Sequence, residues 1–260
     1  MSSDHLAVVT GASSGLGEVF ARNLASKGYR LLLVARREER LSALAALLGP
    51  NHEVMAADLT KEEDLERLAR RLEASADLRL LVNNAGFGTK GLFWETDYER
   101  QLEMHKLHVM APLKLTRAAL PGMVKRNLGG IINVSSVAAF FRSRGNASYC
   151  ATKGWMNDFT EALYLELKAA RSSVKMQALC PGFTYTEFHD TMGVSRNSIA
   201  KSMWMPAGFV VEESLRGLEN GKLYVIPGWR YKLLIAIGTR LPFRLRLALQ
   251  SRSPHTKGRT

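Results

Sequence analysis

The stretch Thr10-Gly11-Ala12-Ser13-Ser14-Gly15-Leu16-Gly17 joins an apolar run at 6–10 to a segment of helical periodicity. Gly11 permits a tight turn, while Gly15 and Gly17 allow a pyrophosphate and the strand to approach the backbone closely. The first turn of the helix presents free N–H groups and a positive dipole end to an anion. We expect the phosphate loop of a dinucleotide site rather than a plain glycine-rich turn. Its contacts should come from Gly11, Ser13, Ser14, Gly15, Leu16 and Gly17.

Downstream of this loop, apolar strands alternate with segments of helical periodicity. This alternation implies parallel pairing through right-handed crossovers. Continuously apolar strands imply a sheet that is covered on both faces. The sequence therefore predicts an α/β fold, a single doubly wound Rossmann-type parallel sheet of about seven strands with helices on both faces. Strands are expected at 6–10, 30–35, 53–57, 80–83, 130–135, 175–180 and 223–226, and helices at 15–27, 37–48, 61–73, 97–125 (with Pro112 at a bend or boundary) and 147–171.

The second strand ends in residues that would meet the adenosine half of a dinucleotide. A carboxylate at that point binds the ribose hydroxyls, whereas an arginine pairs with a 2′-phosphate. Arg36, with help from Arg37 or Arg40, therefore predicts NADP(H) over NAD(H), the alternative being a solvated charge run at a helix start. Further coenzyme contacts are expected from Asp58 and Leu59 after the third strand and from Asn84, Ala85 and Gly86 after the fourth.

Tyr149 and Lys153 are four residues apart, so a helix would place both side chains on one face. A cation within a few ångströms favours a phenolate and lowers its pKa from about 10. Such a phenol can protonate a carbonyl oxygen or deprotonate an alcohol. The pattern alone also fits two ordinary residues on a helix surface, and the motifs upstream favour chemistry.

The charge of the 260-residue chain is unevenly distributed. The net charge is +12, and residues 220–260 contain nine Lys or Arg and no Asp or Glu. Cys150 and Cys180 suit neither a disulfide framework nor a metal site, so we expect reduced thiols. The N-terminus shows no signal pattern, and we expect a cytoplasmic protein. Residues 1–228 should form the catalytic domain, 229–250 a basic amphipathic extension and 251–260 a disordered tail.

Two C-terminal segments bear on substrate and partners. Residues 183–209 combine aromatic and methionine side chains, which suit an apolar substrate or the packing of a lid. Residues 227–249 mix cations with aromatic and aliphatic side chains. They suit peripheral contact with an anionic membrane at its inner surface, a partner subunit or the substrate opening. No nucleic-acid recognition module accompanies the charge, so we expect no nucleic-acid partner.

Together these motifs resemble the short-chain dehydrogenase/reductase family, in its NADP(H)-preferring branch. The resemblance covers residues 6–190 and adds Asn133-Val134-Ser135-Ser136 and Pro181-Gly182 to the motifs above. It implies an oxidoreductase acting on CH–OH donors with NADP as acceptor, which interconverts a ketone and a secondary alcohol as a homodimer or homotetramer. We expect a reductase of an apolar or acyl-type carbonyl, the alternative being a catalytically silent NADP(H)-binding scaffold. The implied roles are Ser136 polarising the carbonyl, Tyr149 transferring the proton, Lys153 binding the nicotinamide ribose, and Pro181, Gly182, Thr184 and Thr186 lining the nicotinamide end.

One position departs from the family pattern. His108, in Leu107-His108-Val109-Met110-Ala111-Pro112, stands where the family has an asparagine implied in a proton relay. A histidine titrates near 6.5 and can relay protons with an altered pH dependence, or it can simply pack in the helix. His105 lies one turn away, but without further ligands we expect no metal site.

Overall fold

The computed structural model describes residues 5–188 and 199–251. Its strands are β1 (Leu6–Thr10), β2 (Arg30–Ala35), β3 (Glu53–Ala56), β4 (Leu78–Asn83), β5 (Gly130–Val134), β6 (Lys175–Leu179), β7 (Thr184–Tyr185), β8 (Met205–Pro206) and β9 (Tyr224–Val225). Its α-helices are α1 (Gly15–Ser26), α2 (Glu38–Leu48), α3 (Glu62–Glu73), α4 (Tyr98–His105), α5 (Ala111–Arg126), α6 (Ala147–Ala169), α7 (Ala207–Glu219), α8 (Trp229–Gly238) and α9 (Phe243–Ser251).

Seven strands form one parallel sheet, in the order β3-β2-β1-β4-β5-β6-β9. The predicted doubly wound sheet is confirmed. The strand order reverses between β1 and β4, and open α/β sheets bind ligands in the crevice beyond the carboxyl ends at such a point. The phosphate loop follows β1 and therefore lies at that crevice.

Alternation of side chains along each strand divides the core into two layers. Leu6 and Val8 face one layer, which α3, α5 and α6 cover, while Ala7 and Val9 face the other layer. Helices α1, α2, α7 and α8 cover that second layer. Because both faces are covered, a strand can be apolar over most of its length, as β1 and β2 are.

The helix expected over 97–125 is interrupted. A π-helical turn, Lys106–Met110, separates α4 from α5, and Pro112 stands in the first turn of α5. Proline has no N–H to donate, and it stands where the hydrogen-bond pattern changes from the π turn to the α-helix. The predicted boundary near Pro112 is thus present, and the π turn carries His108.

The sequence pattern did not predict the two-residue parallel pair β7–β8, nor helix α7. Helices α8 and α9 occupy the expected C-terminal extension, and α9 continues to Ser251, one residue into the segment expected to be a disordered tail. Residues 252–260 lie outside the described part of the chain. Across residues 5–188 and 199–251, every helix is too short or too polar to cross a bilayer.

Candidate active site

A cavity of about 1180 Å³ opens at the carboxyl ends of the strands. All of the expected coenzyme-binding residues line it except Gly17 and Arg40, and so do Ser136, Tyr149 and Lys153. Residues far apart in sequence therefore meet in one space, because parallel strands place all their carboxyl ends on one edge.

The phosphate loop requires glycine at each of its three glycine positions. Gly11 and Gly15 have φ of 67° and 58°, in the left-handed region. A Cβ on Gly17 would lie 2.2 Å from the carbonyl oxygen of Gly11, so Gly17 is needed for packing of helix on strand rather than for lining the cavity. The Ser14 side chain does not cap α1, which leaves the first N–H groups of α1 available to a pyrophosphate.

Thr10 fixes the phosphate loop against the loop after β4. Its hydroxyl donates to the carbonyl oxygen of Val82 (3.2 Å) and accepts from the N–H groups of Asn84 (2.9 Å) and Ala85 (3.0 Å). The Asn84 amide donates in turn to the Thr10 carbonyl oxygen at 2.9 Å. These bonds hold the two walls of the coenzyme groove at a set spacing.

The adenosine end of the groove contains two carboxylates, Asp58 and Glu187, and three arginines. Burial alone would raise the pKa of Asp58, but hydrogen bonds from the Thr60 hydroxyl and N–H, with the nearby Arg36, hold that pKa below its usual value. Arg37 donates to the Ser14 hydroxyl at 2.8 Å, and both Arg37 and Arg40 pair with Glu187 (3.5 and 3.0 Å).

Arg36 differs from its two neighbours. It is exposed and lines the cavity, and within residues 5–188 and 199–251 no hydrogen-bond acceptor or carboxylate pairs with its guanidinium. A free guanidinium beside the expected ribose position fits a phosphate. The groove as a whole therefore fits a nicotinamide dinucleotide, with glycines where its backbone must approach closely and cations at its adenosine end.

Helix α6 carries the two residues of the predicted catalytic pair into the interior. Tyr149 and Lys153 are 9% and 5% exposed, and the Lys153 Nζ lies 5.8 Å from the centroid of the Tyr149 ring. The Lys153 amine donates to the carbonyl oxygen of Val134 at 2.7 Å, and the Ser135 hydroxyl donates to the Lys153 carbonyl oxygen at 3.0 Å. Ser136 accepts from the Ala138 N–H at 3.1 Å, which orients its hydroxyl.

The protonation of this pair differs from the sequence-based expectation. Burial raises the pKa of Tyr149 to about 12, although its interaction with the Ser136 hydroxyl opposes that rise. Burial also lowers the pKa of Lys153 to about 7. The expected lowering of the phenol pKa by Lys153 is therefore absent, because desolvation is larger than any charge effect here and the amine is directed to a backbone oxygen.

His108 is buried completely and both of its ring nitrogens are engaged. The Phe87 N–H donates to Nε2 at 3.2 Å, so a neutral ring carries its proton on Nδ1. That Nδ1–H donates to the Thr152 hydroxyl (3.0 Å), which donates to the Tyr149 carbonyl oxygen (3.0 Å). His108 does not line the cavity, and its role in this structure is to tie the loop after β4 to α6. Of the two expectations for His108, these contacts support packing in the helix rather than proton relay.

The next question is whether side chains that could bind a metal ion lie close together. In the part of the chain that the structure describes, no three His, Cys, Asp or Glu side chains are grouped as metal ligands would be. The His105 Nδ1–H donates to the Gln101 carbonyl oxygen, 2.9 Å away, on the exposed side of α4.

Residues 5–196 match a family of known proteins described as short chain dehydrogenase. The chain belongs to the short-chain dehydrogenase family. A 3-oxoacyl-[acyl-carrier-protein] reductase of Bos taurus is 34% identical over 185 residues, 71% of this chain and 77% of that protein. The protein is thus an oxidoreductase of a family that binds a nicotinamide coenzyme and acts on small molecules.

Two solved structures extend the likeness to almost the whole chain. A short-chain dehydrogenase from Sphingobium yanoikuyae in complex with NADPH is 31% identical, with a TM-score of 0.82 and coverage of 96% of this chain and 97% of that one. A short-chain dehydrogenase/reductase from Burkholderia phymatum in complex with NAD is 26% identical, with a TM-score of 0.80 and coverage of 100% and 99%. Members of similar structure therefore carry either coenzyme.

The substrate end of this short-chain dehydrogenase contains residues that the sequence motifs missed. Phe141, Arg142 and Cys150 line it from the β5–α6 loop and α6, and a group from the last two helices closes it. That group comprises Leu234, Ile237, Leu241, Arg246 and Leu249. The sequence left three interpretations of the C-terminal segment: contact with a membrane, contact with a partner subunit, or a place at the substrate opening. Its residues line the cavity, which fits the third interpretation.

Proposed function

We propose that this protein is an NADPH-dependent reductase that converts an apolar or acyl-type ketone to a secondary alcohol. The single observation that carries the proposal is the convergence of Ser136, Tyr149 and Lys153 in a cavity with an apolar far wall. The bovine relative is named for a 3-oxoacyl substrate, whose acyl chain would suit such a wall.

The chain's own groups supply the proton and its positioning. The bound nicotinamide would supply the hydride to the carbonyl carbon. The Ser136 hydroxyl donates a hydrogen bond to the carbonyl oxygen, and the Tyr149 O–H transfers its proton to that oxygen as the C–H bond forms. A phenol whose pKa is raised by burial stays protonated at neutral pH and can therefore act as the proton donor of a reduction. Lys153, held by Val134, would bind ribose hydroxyls of the coenzyme.

Replacement of the phenol tests the reaction. Tyr149→Phe should lower kcat by about 10²–10⁴-fold, because a positioned proton donor contributes that factor. NADPH binding, measured by fluorescence titration, should change little since the ring remains. Retention of more than a tenth of the wild-type kcat would contradict the assignment. Absence of turnover by the wild type on a panel of ketones would instead favour a catalytically silent coenzyme-binding protein.

Arg36 supports the choice of NADPH over NADH. Its guanidinium has room for a 2′-phosphate, whereas Arg37 and Arg40 already share Glu187. One charged hydrogen bond contributes about 1.5–3 kcal/mol, so Arg36→Asp should weaken NADPH binding roughly 10–100-fold and favour NADH. Lys222→Asp, an equal charge change at an exposed cation just before β9, is the matched control. An unchanged ratio of kcat/KM for the two coenzymes would refute the role of Arg36.

We also propose a homodimer or homotetramer. Helices α5 and α6 expose large apolar side chains that a monomer would leave in water, among them Leu113 and Leu165 at 40% and 58%. Light scattering would measure the mass, and Leu165→Glu should lower it if α6 forms the contact. A monomeric wild type would overturn this proposal without affecting the chemistry.

A further inference from the structure

Helices α8 and α9 carry a large apolar surface that the described fold leaves uncovered. No residue of α9 is buried, and α8 buries only Tyr231 and Ile235. Single exposed apolar residues are ordinary, but a contiguous apolar surface marks a contact. The exposed set, each member 47–65% accessible, comprises Trp229, Leu233, Leu234, Ile237, Phe243, Leu245, Leu247 and Leu249.

The charge of this surface has one sign. Residues 229–251 contain no Asp or Glu and five cations, Arg230, Lys232, Arg240, Arg244 and Arg246. A second copy of the same surface would bring five cations against five, which disfavours self-association there. An anionic partner matches the charge, and anionic lipid headgroups attract nearby Lys and Arg by about 1 kcal/mol each. The aromatic and aliphatic side chains between the cations match the acyl boundary below those headgroups.

The surface is continuous with the catalytic cavity. Leu234, Ile237 and Leu249 are exposed on the outside and also line the cavity that contains Tyr149. An apolar molecule at the outer surface of α8 and α9 would therefore reach the catalytic phenol along apolar side chains. A docked acidic protein would match the cations but would leave no reason for eight exposed apolar residues on α8 and α9, three of which line the cavity.

We propose that α8 and α9 dock on an anionic membrane surface and that the substrate is an apolar ketone dissolved in that membrane. The ketone enters the cavity between these helices and the β5–α6 loop. This inference deepens the proposed reductase function and rests on it. Binding to the membrane and turnover are measured separately, so the failure of either can be recognised.

Cosedimentation of the full chain with vesicles tests the docking. The protein should bind vesicles that contain phosphatidylglycerol, bind phosphatidylcholine vesicles at least tenfold more weakly, and dissociate as salt is raised. Leu245→Glu/Leu247→Glu and Arg240→Glu/Arg244→Glu should each lower the partition coefficient at least tenfold, and none of these four residues lines the cavity. Equal binding to both vesicle types, or full binding by both double variants, would overturn the proposal.

Matched controls separate the surface from general charge and hydrophobicity. Leu47→Glu changes an apolar residue that is 72% exposed on α2. Lys125→Glu/Lys222→Glu changes two exposed cations that precede β5 and β9, at the sheet edge opposite the cavity. Both controls should bind phosphatidylglycerol vesicles like the wild type. Thermal unfolding and NADPH binding, unchanged in every variant, would show that the fold is intact.

NADPH oxidation tests delivery of the substrate. With a long-chain ketone dissolved in phosphatidylglycerol vesicles, the two surface variants should lose at least tenfold in kcat/KM. With a short water-soluble ketone and no vesicles, they should match the wild type. If the surface variants and the wild type were equally active on the vesicle-bound ketone, the proposal would be overturned. It would also be overturned if the variants lost activity only on a ketone carried by an acidic acyl carrier protein. Failure of all proteins on the water-soluble ketone would instead contradict the reductase function.

Discussion

Replacement of His108 by asparagine, the family's usual residue, should alter how stability depends on pH. Burial, with smaller effects of Lys153 and His105, lowers the pKa of His108 well below 6.5. The Phe87 N–H donates to Nε2 of the neutral ring. Protonation of Nε2 would break this hydrogen bond, because two N–H donors would then face each other. The folded protein therefore keeps His108 neutral at a pH where the unfolded chain already binds a proton.

The sign and size of the effect follow from this difference. Below pH 6.5 the unfolded state binds a proton that the native state does not, so stability falls as pH falls, by about 1.4 kcal/mol per unit until the folded pKa is reached. An asparagine side chain at this position does not titrate, but it cannot replace both hydrogen bonds, which costs about 1–3 kcal/mol at neutral pH. The difference in unfolding free energy between wild type and His108→Asn should therefore shrink by about 1.4 kcal/mol between pH 7.5 and 5.5.

Urea denaturation at pH 7.5, 6.5 and 5.5 measures this difference, since the other titrating groups are common to both proteins. His105→Asn, on the exposed side of the preceding helix, controls for the loss of a histidine as such. A difference that stays constant with pH would refute the assignment of a neutral His108. The same reasoning predicts that His108→Asn keeps the shape of the kcat–pH profile. If the variant instead lost a titration near pH 6.5 that the wild type shows, the result would support a role of His108 in proton relay.

Two further substitutions test contacts around the predicted coenzyme groove. A Cβ on Gly182 would lie 2.0 Å from the Tyr231 ring, so Gly182→Ala should cost about 1–3 kcal/mol and lower Tm by several degrees. An unchanged melting curve would show that the loop after β6 does not contact α8. Glu187→Gln releases Arg37 and Arg40 for the coenzyme phosphate and should lower the KM for NADPH about two- to fivefold, the range of an exposed ion pair. A parallel fall in the KM for NADH would show that the effect is not directed at that phosphate.

The sheet could be predicted from the sequence because its signals are local. Each strand is a short apolar run, and the glycines of the phosphate loop fix one βα turn without reference to the rest of the chain. The structure puts strand ends within two residues of the expected positions. The interruption at Lys106–Met110 was not predictable in the same way, since a π turn leaves helical periodicity almost unchanged and depends on the partners of His108 in distant segments.

The sequence predicted that Ser136, Tyr149 and Lys153 would lie together, and they line one cavity, but it did not predict how burial affects their protonation. Spacing brings Tyr149 and Lys153 to one helix face, yet it says nothing of how deeply that face is buried. Burial depends on tertiary contacts, such as those of the Tyr149 ring with His108 and Phe188, and it moves the two pKa values in opposite directions. The Lys153 amine is directed to Val134, on a strand nineteen positions earlier, a contact that no local pattern encodes.

The last helices also act on the coenzyme site through contacts that sequence distance conceals. The Tyr231 hydroxyl accepts from the Phe183 N–H (2.9 Å) and donates to the Met203 carbonyl oxygen (2.8 Å), so it joins the loop after β6 to the lid. At the other end of α8, a Cβ on Gly238 would lie 2.4 Å from the Phe141 ring. Helix α8 is thus fixed at one end to the loop after β6 and at the other to the β5–α6 loop, and both loops line the cavity. Displacement of this helix would therefore move two walls of the cavity at once.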